Sequence, residues 1–266
     1  MRRSKIAFLA AAFGLLALLF CSGPSQAQST LQTVKSRGTL IAGVRFDTAP
    51  YGFLDASGKN VGIDVEIAEE MARRLGVKLE LIQVTGQSRI LTLNSGKIDL
   101  LLAALTHTRA REKAVDFSIT YVQDGLGIMT KKGSAIQKLG DLNGKSVATV
   151  QGTTLTAPLK KVAPQARVAE YPEYPQAFLA FQQGLADSFG ADLTVLDKFL
   201  KSDPNAEILS VALAPEPIAI GMRKNDSEWR NTLNGLLQDM VTDGTWERIT
   251  KKYVSLSLPA PEVWPN

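Results

Sequence analysis

The chain has little sulfur or imidazole chemistry to offer: one cysteine and one histidine in 266 residues. Cys21 falls in a segment that reads as an export leader. Without it there is no thiol left for disulfides, redox dithiols or cysteine-ligated metals. His107 alone cannot supply the several nitrogen or sulfur ligands of a zinc site, and no metal or other cofactor is implied. A polybasic run suited to nucleic acid or an anionic membrane is missing too. Ile6–Phe20, 15 residues without a charge, is short for a membrane span of roughly 20. With Arg2, Arg3 and Lys5 before it and Ser25-Gln-Ala27 after it, the run predicts a secretory signal peptide over residues 1–27. Lipidation at Cys21 would want a small preceding residue, and Phe20 stands there. Cleavage after Ala27 removes three of the 30 basic residues and none of the 26 acidic ones, so the net charge falls from +4 to +1. The 239 residues left suffice for one large or two smaller domains, and export without disulfides fits a bacterial periplasm.

What is present is a repeated α/β plan. Thr39–Val44 reads as a strand. A helix follows, with Asp64 as its N-cap, Ile67, Met71 and Leu75 four apart, and Gly76 as its stop. Val77–Val84 alternates as a strand, Arg89–Asn94 is a short helix ending near Gly96, and Ile98–Ala103 is apolar without alternation, as in a buried parallel strand. The plan restarts with strands at Ser146–Val150, Arg167–Glu170 and Ser188–Ala191. Helices run between them to Val162 and over Gln176–Gln183, and Leu193–Leu200 follows. A strand at Ile218–Met222 and helices at Trp229–Val241 and Trp246–Tyr253, parted by Gly244, complete the pattern before a loose Pro-rich tail from Leu256. Alternation of this kind implies parallel α/β sheets.

Several candidate motifs fail. Gly140-Asp-Leu-Asn-Gly-Lys-Ser146 has one residue too few between its glycines for a P-loop and precedes a strand instead of following one. A serine triad would need His107, but no serine sits in a nucleophile elbow, and His107 reads as a surface or capping residue. Glu170 and Glu173 read as ordinary strand-end and loop carboxylates. The stretch Leu105-Thr-His-Thr-Arg-Ala-Arg-Glu112 is more telling, because it follows the apolar run Leu100–Leu105. The C-terminal end of a parallel strand is where α/β sheets bind ligands. Threonines and an arginine there suit either an anion clamp or a solvated helix start.

The chain resembles the extracellular solute-binding proteins of the polar amino-acid type, receptors of ABC importers. The likeness runs from about Gly38 to Tyr253. It is carried, in family order, by Gly43-Val-Arg-Phe-Asp-Thr-Ala-Pro50, Val61-Gly-Ile-Asp-Val-Glu66, Ser95-Gly-Lys-Ile-Asp99, Thr106-His-Thr-Arg-Ala-Arg-Glu-Lys113, Val115-Asp-Phe-Ser118, Gln151-Gly-Thr-Thr154 and Glu216-Pro-Ile-Ala-Ile220. The resemblance implies two parallel or mixed α/β lobes joined by two crossover strands, with the ligand in the cleft. Lobe one would be 28–122 plus 217–266 and lobe two 123–216. It implies a periplasmic monomer, without catalytic residues, that delivers its ligand to a membrane permease.

By resemblance Thr106 and Arg111 take the ligand α-carboxylate, the Ala104 carbonyl and Asp192 take the α-amino group, and Gly152, Thr153 and Thr154 add contacts from lobe two. Ala110 and Arg109 depart from the family's usual glutamate and proline; Arg109 reads as solvated. Arg45, Arg89 and Tyr174 lie where the glutamate/aspartate-binding branch contacts the ligand side chain. Counting Arg45, Arg89 and Arg111 against Asp192 gives a site of +2, matched to glutamate or aspartate and hostile to lysine or arginine. Glutamine would leave a guanidinium unpaired, costing roughly 3–5 kcal/mol in a dry site. Some periplasmic dehydratases resemble the same family, and an enzyme here would turn to Glu173 first; the intact clamp of Thr106, Arg111 and Asp192 favours a binding protein.

Overall fold

A computed structural model describes residues 29–265; the leader expected over 1–27 lies outside them. Helix α1 (Thr30–Arg37) leads into strand β1 (Thr39–Val44). A small antiparallel sheet follows, of β2 (Asp47–Thr48), β3 (Gly52–Leu54) and β4 (Asn60–Val61). Next come α2 (Ile63–Leu75), β5 (Lys78–Gln83), α3 (Arg89–Asn94), β6 (Leu100–Leu101) and the long β7 (Asp116–Lys131). The second series is β8 (Ser146–Val150), α4 (Thr156–Val162), β9 (Arg167–Tyr171), α5 (Tyr174–Gln182), β10 (Ser188–Asp192), α6 (Leu193–Leu200) and β11 (Ala206–Ile208). Strand β12 (Ala214–Met222) returns, and α7 (Ser227–Thr242) and α8 (Thr245–Tyr253) close the series.

The main sheet has the order β5-β1-β6-β12-β7-β10-β8-β9, with β11 on the edge of β7. Strands β5, β1 and β6 pair in parallel at one end, and β10, β8 and β9 at the other. The antiparallel strands β7 and β12 join the two parallel sets. The β7–β12 register slips at Ile218/Ala219 and again before Gly221. This is the two-lobed α/β architecture with two crossover strands that the resemblance implies.

Most expected elements form where periodicity places them, and Gly76 stops α2 with a left-handed φ of 68°. Three readings are corrected, and one helix was not anticipated. Asp64 is not the N-cap of α2: Gly62, at φ 134°, holds that place. Asp64 sits in the first turn, fully buried, where it accepts the Ala104 N–H at 2.8 Å and the Tyr121 hydroxyl at 2.5 Å. The segment before β1 is a helix, capped by the Ser29 hydroxyl and ended by Gly38. Ile98–Ala103 is buried throughout, yet only Leu100–Leu101 joins the ladder. The tail after Tyr253 has no regular structure, as its prolines require, but it is tied down: Pro261 is buried and the Trp264 N–H donates to Gln238 Oε1 at 2.9 Å.

Buried apolar residues lie on both faces of the sheet. Trp229 of α7 and Trp246 of α8 are buried, and their indole N–H groups donate to the carbonyls of Asp99 at 3.2 Å and Tyr121 at 2.8 Å. Each indole therefore buries a large apolar face without orphaning its one donor.

Candidate functional site

A small polar cavity lies between the two parallel sets. It is lined by Arg45, Thr48, Arg89, Ala104, Thr106, Arg111, Leu126, Thr153, Thr154, Tyr174 and Asp192. The fold explains the convergence. Arg45 follows β1, Ala104 and Thr106 follow β6, Thr153 and Thr154 follow β8, Tyr174 opens α5 after β9, and Asp192 ends β10. All are at C-terminal ends of parallel strands, where neighbouring connections diverge and leave room. Nine of the ten residues expected from the sequence line the cavity; the tenth, Gly152, meets it through its carbonyl oxygen.

Arg89 is the most confined charge. Its side chain extends from the first turn of α3, is 4% exposed, and donates to Ala103 O at 2.7 Å, Ala104 O at 3.1 Å and Gly152 O at 3.2 Å. Among the described residues it has no carboxylate partner. Burial, then repulsion from Arg111 and Arg45, pushes its guanidinium down to about 9. Arg111 is held by Thr106 O at 2.8 Å and Gly152 O at 2.9 Å. Burial lowers it as well, against the pull of Glu216 and Asp192. The Gly152 carbonyl thus receives two guanidiniums from across the cleft.

Ala104 has φ 45°, rare for a residue with a Cβ. Its N–H is fixed by Asp64 and its carbonyl by Arg89, which together hold the strained backbone. The carbonyl expected to receive a ligand amine therefore carries a guanidinium donor in this arrangement. Burial pushes the Asp64 carboxyl up to about 6, against the Tyr121 and Ala104 hydrogen bonds and the charge of Arg89.

The +2 charge count is overturned. Arg45 makes a bidentate pair with Asp47, Nε to Oδ1 at 2.7 Å and Nη2 to Oδ2 at 2.6 Å, with side chains 4% and 9% exposed. Burial works to lower Arg45, but the Asp47 hydrogen bonds and charge outweigh it and leave the guanidinium raised. Glu216 accepts the Thr106 hydroxyl and, at 2.7 Å, the Thr154 hydroxyl, so it bridges the two halves of the site. Adding Asp47 and Glu216 brings the formal count from +2 to zero. Asp192 is driven well above the usual carboxylate range by burial and by Asp124 and Glu216, against Arg89 and Arg111.

Asp47 was legible in principle, since i and i+2 share one face of an extended chain. Glu216 was not, being 110 residues from Thr106. The remaining candidates stay outside. His107 stacks on Phe117 at 4.2 Å, with Nε2 2.7 Å from Glu112 Oε1. Arg109 and Glu170 are exposed, and Glu173 is the half-buried N-cap of α5.

Residues 40–256 match the family described as bacterial extracellular solute-binding proteins, family 3. A glutamine-binding protein of Geobacillus stearothermophilus is 36% identical over 214 residues, covering 79% of this chain and 82% of that protein. A glutamate/aspartate import solute-binding protein of Salmonella typhimurium is 28% identical over 252 residues, covering 89% and 83%. A solved ancestral arginine-binding protein bound to arginine superposes with a TM-score of 0.78 at 36% identity, covering 82% of this chain and 98% of that one.

Proposed function

The chain belongs to the bacterial extracellular solute-binding proteins of family 3 and is an amino-acid-binding receptor of an ABC importer, not an enzyme; we propose that its ligand is glutamate or aspartate. One observation carries the acidic reading: Arg89 is a fully enclosed guanidinium held only by carbonyls. A ligand carboxylate is the partner that offsets such a charge, through short charge-assisted hydrogen bonds. Arg111 and Thr106 take the α-carboxylate, the latter after its hydroxyl leaves Glu216. Asp192 takes the ammonium, and Tyr174 packs on the side chain. The lobes are 28–122 plus 217–266 and 123–216; the register slips beside Ile218 support a hinge there. Ligand bridging both lobes favours the closed form, which docks on the permease. The protein works as a periplasmic monomer after loss of its leader.

Glutamine is the second reading. It is favoured by the Arg45–Asp47 pair, which leaves one guanidinium fewer for a ligand carboxylate, and by the glutamine-binding relative. Calorimetric titration of ligand-stripped protein against the twenty amino acids tests both. Tight binding of glutamate or aspartate, with lysine and arginine silent, is expected. Preference for glutamine moves the assignment to the amide, and preference for a basic amino acid refutes both.

A further inference from the structure

Asp47 lies in neither the expected ligand set nor the cavity lining, yet more of the site depends on it than on several residues that do. Its two carboxylate oxygens take two donors of Arg45, at 2.7 and 2.6 Å. Oδ1 also accepts the Thr48 hydroxyl at 3.1 Å, and Oδ2 lies 3.4 Å from the Tyr174 N–H. That N–H belongs to the first turn of α5, on the far side of the cleft, so a carboxylate from β2 sits at the start of a nine-residue helix from the other half. The Arg45 guanidinium carbon is 5.9 Å from the centroid of the Tyr174 ring, which lines the same end of the cavity. Arg89 and Arg111, by contrast, are held only by backbone carbonyls. Of the three guanidiniums lining the cavity, one alone arrives already neutralised.

A carboxylate entering this end of the cavity meets a competitor for Arg45, whereas an amide meets a paired, uncharged group. We propose that Asp47 sets the receptor's charge selectivity by competing with the ligand side chain for Arg45, narrowing the preference for an acidic over an amide side chain. This rests on the reading of the cavity as an amino-acid site. Asp47 acts through Arg45 and is a positioning residue. Its contact with Tyr174 serves every ligand alike by bracing closure, while its charge acts only on the difference between ligands.

The test is calorimetric titration of wild type, Asp47→Asn and Asp47→Ser with glutamate and with glutamine. The readout is the ratio of the two affinities, which a purely structural role leaves unmoved. Close charge pairs in desolvated sites couple strongly enough that the glutamate-to-glutamine ratio is expected to rise about tenfold or more in both variants. Adding Arg45→Met to Asp47→Asn is expected to return the ratio toward its wild-type value. A ratio within twofold of wild type in both variants, or loss of both ligands together, overturns the role assigned to Asp47. Wild type binding neither ligand is a different failure: it refutes the proposed ligand, and this inference falls with it.

Discussion

Gly86→Ala is expected to weaken ligand binding about 100-fold without touching a ligand. Gly86 lies in the turn between β5 and α3, against the loop that carries Gly152. A Cβ on Gly86 would stand 2.2 Å from Gln151 O, and one on Gly152 would stand 2.4 Å from Gly86 O. The two backbones close the cavity rim glycine to glycine. Gly86 is the cleaner probe, because Gly152 has φ 77° and would be strained by any side chain. To reach the 3.4 Å of ordinary contact, the Gly86 side must part from Gln151 by about 1.2 Å. An equal parting at Gly152 stretches the Arg89 bond of 3.2 Å and the Arg111 bond of 2.9 Å beyond hydrogen-bond range. Hydrogen bonds to charged groups are worth about 1.5–3 kcal/mol each, and rim water replaces them in part, so the loss is about 3 kcal/mol. That is roughly 100-fold in affinity, falling mainly on dissociation. Calorimetry with the cognate amino acid, stopped-flow dissociation and urea unfolding of the ligand-free protein check it. The proposed opening of the ligand-free lobes would separate Gly86 from Gln151, so ligand-free stability should change little. Affinity within threefold of wild type would refute the closure argument, as would a loss of ligand-free stability that matches the loss of binding.

Three further outcomes follow from the same geometry. Arg89→Met removes a charge whose burial lowers it from 12.5 to about 9, a cost of roughly 5 kcal/mol, but it also orphans as many as three carbonyls at about 1–3 kcal/mol each. Unfolding should therefore shift by no more than about 4 kcal/mol in either direction, while calorimetry shows glutamate weakened about 100-fold and more than glutamine. Ligand binding should release a proton: burial and Asp124 hold the Asp192 carboxyl up, an arriving ammonium pulls it down, and affinity rises with pH through the free-state value. Calorimetry in buffers of different ionisation enthalpy reads this, and proton uptake would contradict it. Asp64 is raised from 3.8 to about 6, so its ionisation destabilises the folded state by roughly 3 kcal/mol above pH 6, and this penalty is relieved as pH falls toward 4. Denaturant unfolding from pH 4 to 7 should show Asp64→Asn lacking that component; a pH-independent difference from wild type would contradict it.

Where one rule decides an element, the sequence was readable. Leu193–Leu200 forms as expected from its apolar face, and α2 ends at Gly76 because only a residue free to take positive φ stops a helix that way. Strand β7 was missed because its alternation breaks at Asp124, Gly125 and Gly127. Those glycines are there for packing: a Cβ on Gly125 would meet Leu193 Cδ1 at 2.8 Å, and one on Gly127 would meet Leu193 Cδ2 at 2.5 Å. A residue that breaks the local pattern to admit a partner from α6, some 70 positions on, carries no signal in its own neighbourhood. The misplaced cap at Asp64 is the same case, its carboxylate drawn to Ala104 and Tyr121 by tertiary contact.

The site divides along the same line. Which residues meet in the cavity could be read, because strand ends and family motifs place them. What charge they present could not, because charge in a buried site belongs to pairs. Arg45 without Asp47 argues for an acidic ligand, and Arg45 with Asp47 argues for little. Thr106 is a hydroxyl donor for a carboxylate, but here Glu216 already takes it, and Glu216 also holds Thr154 from the opposite side of the cleft. Ligand contacts through Arg45 and Thr106 must therefore displace contacts the protein makes with itself. Affinity is the difference between two nearly balanced sets of hydrogen bonds, and so a single internal carboxylate can set selectivity as firmly as a residue that touches the ligand.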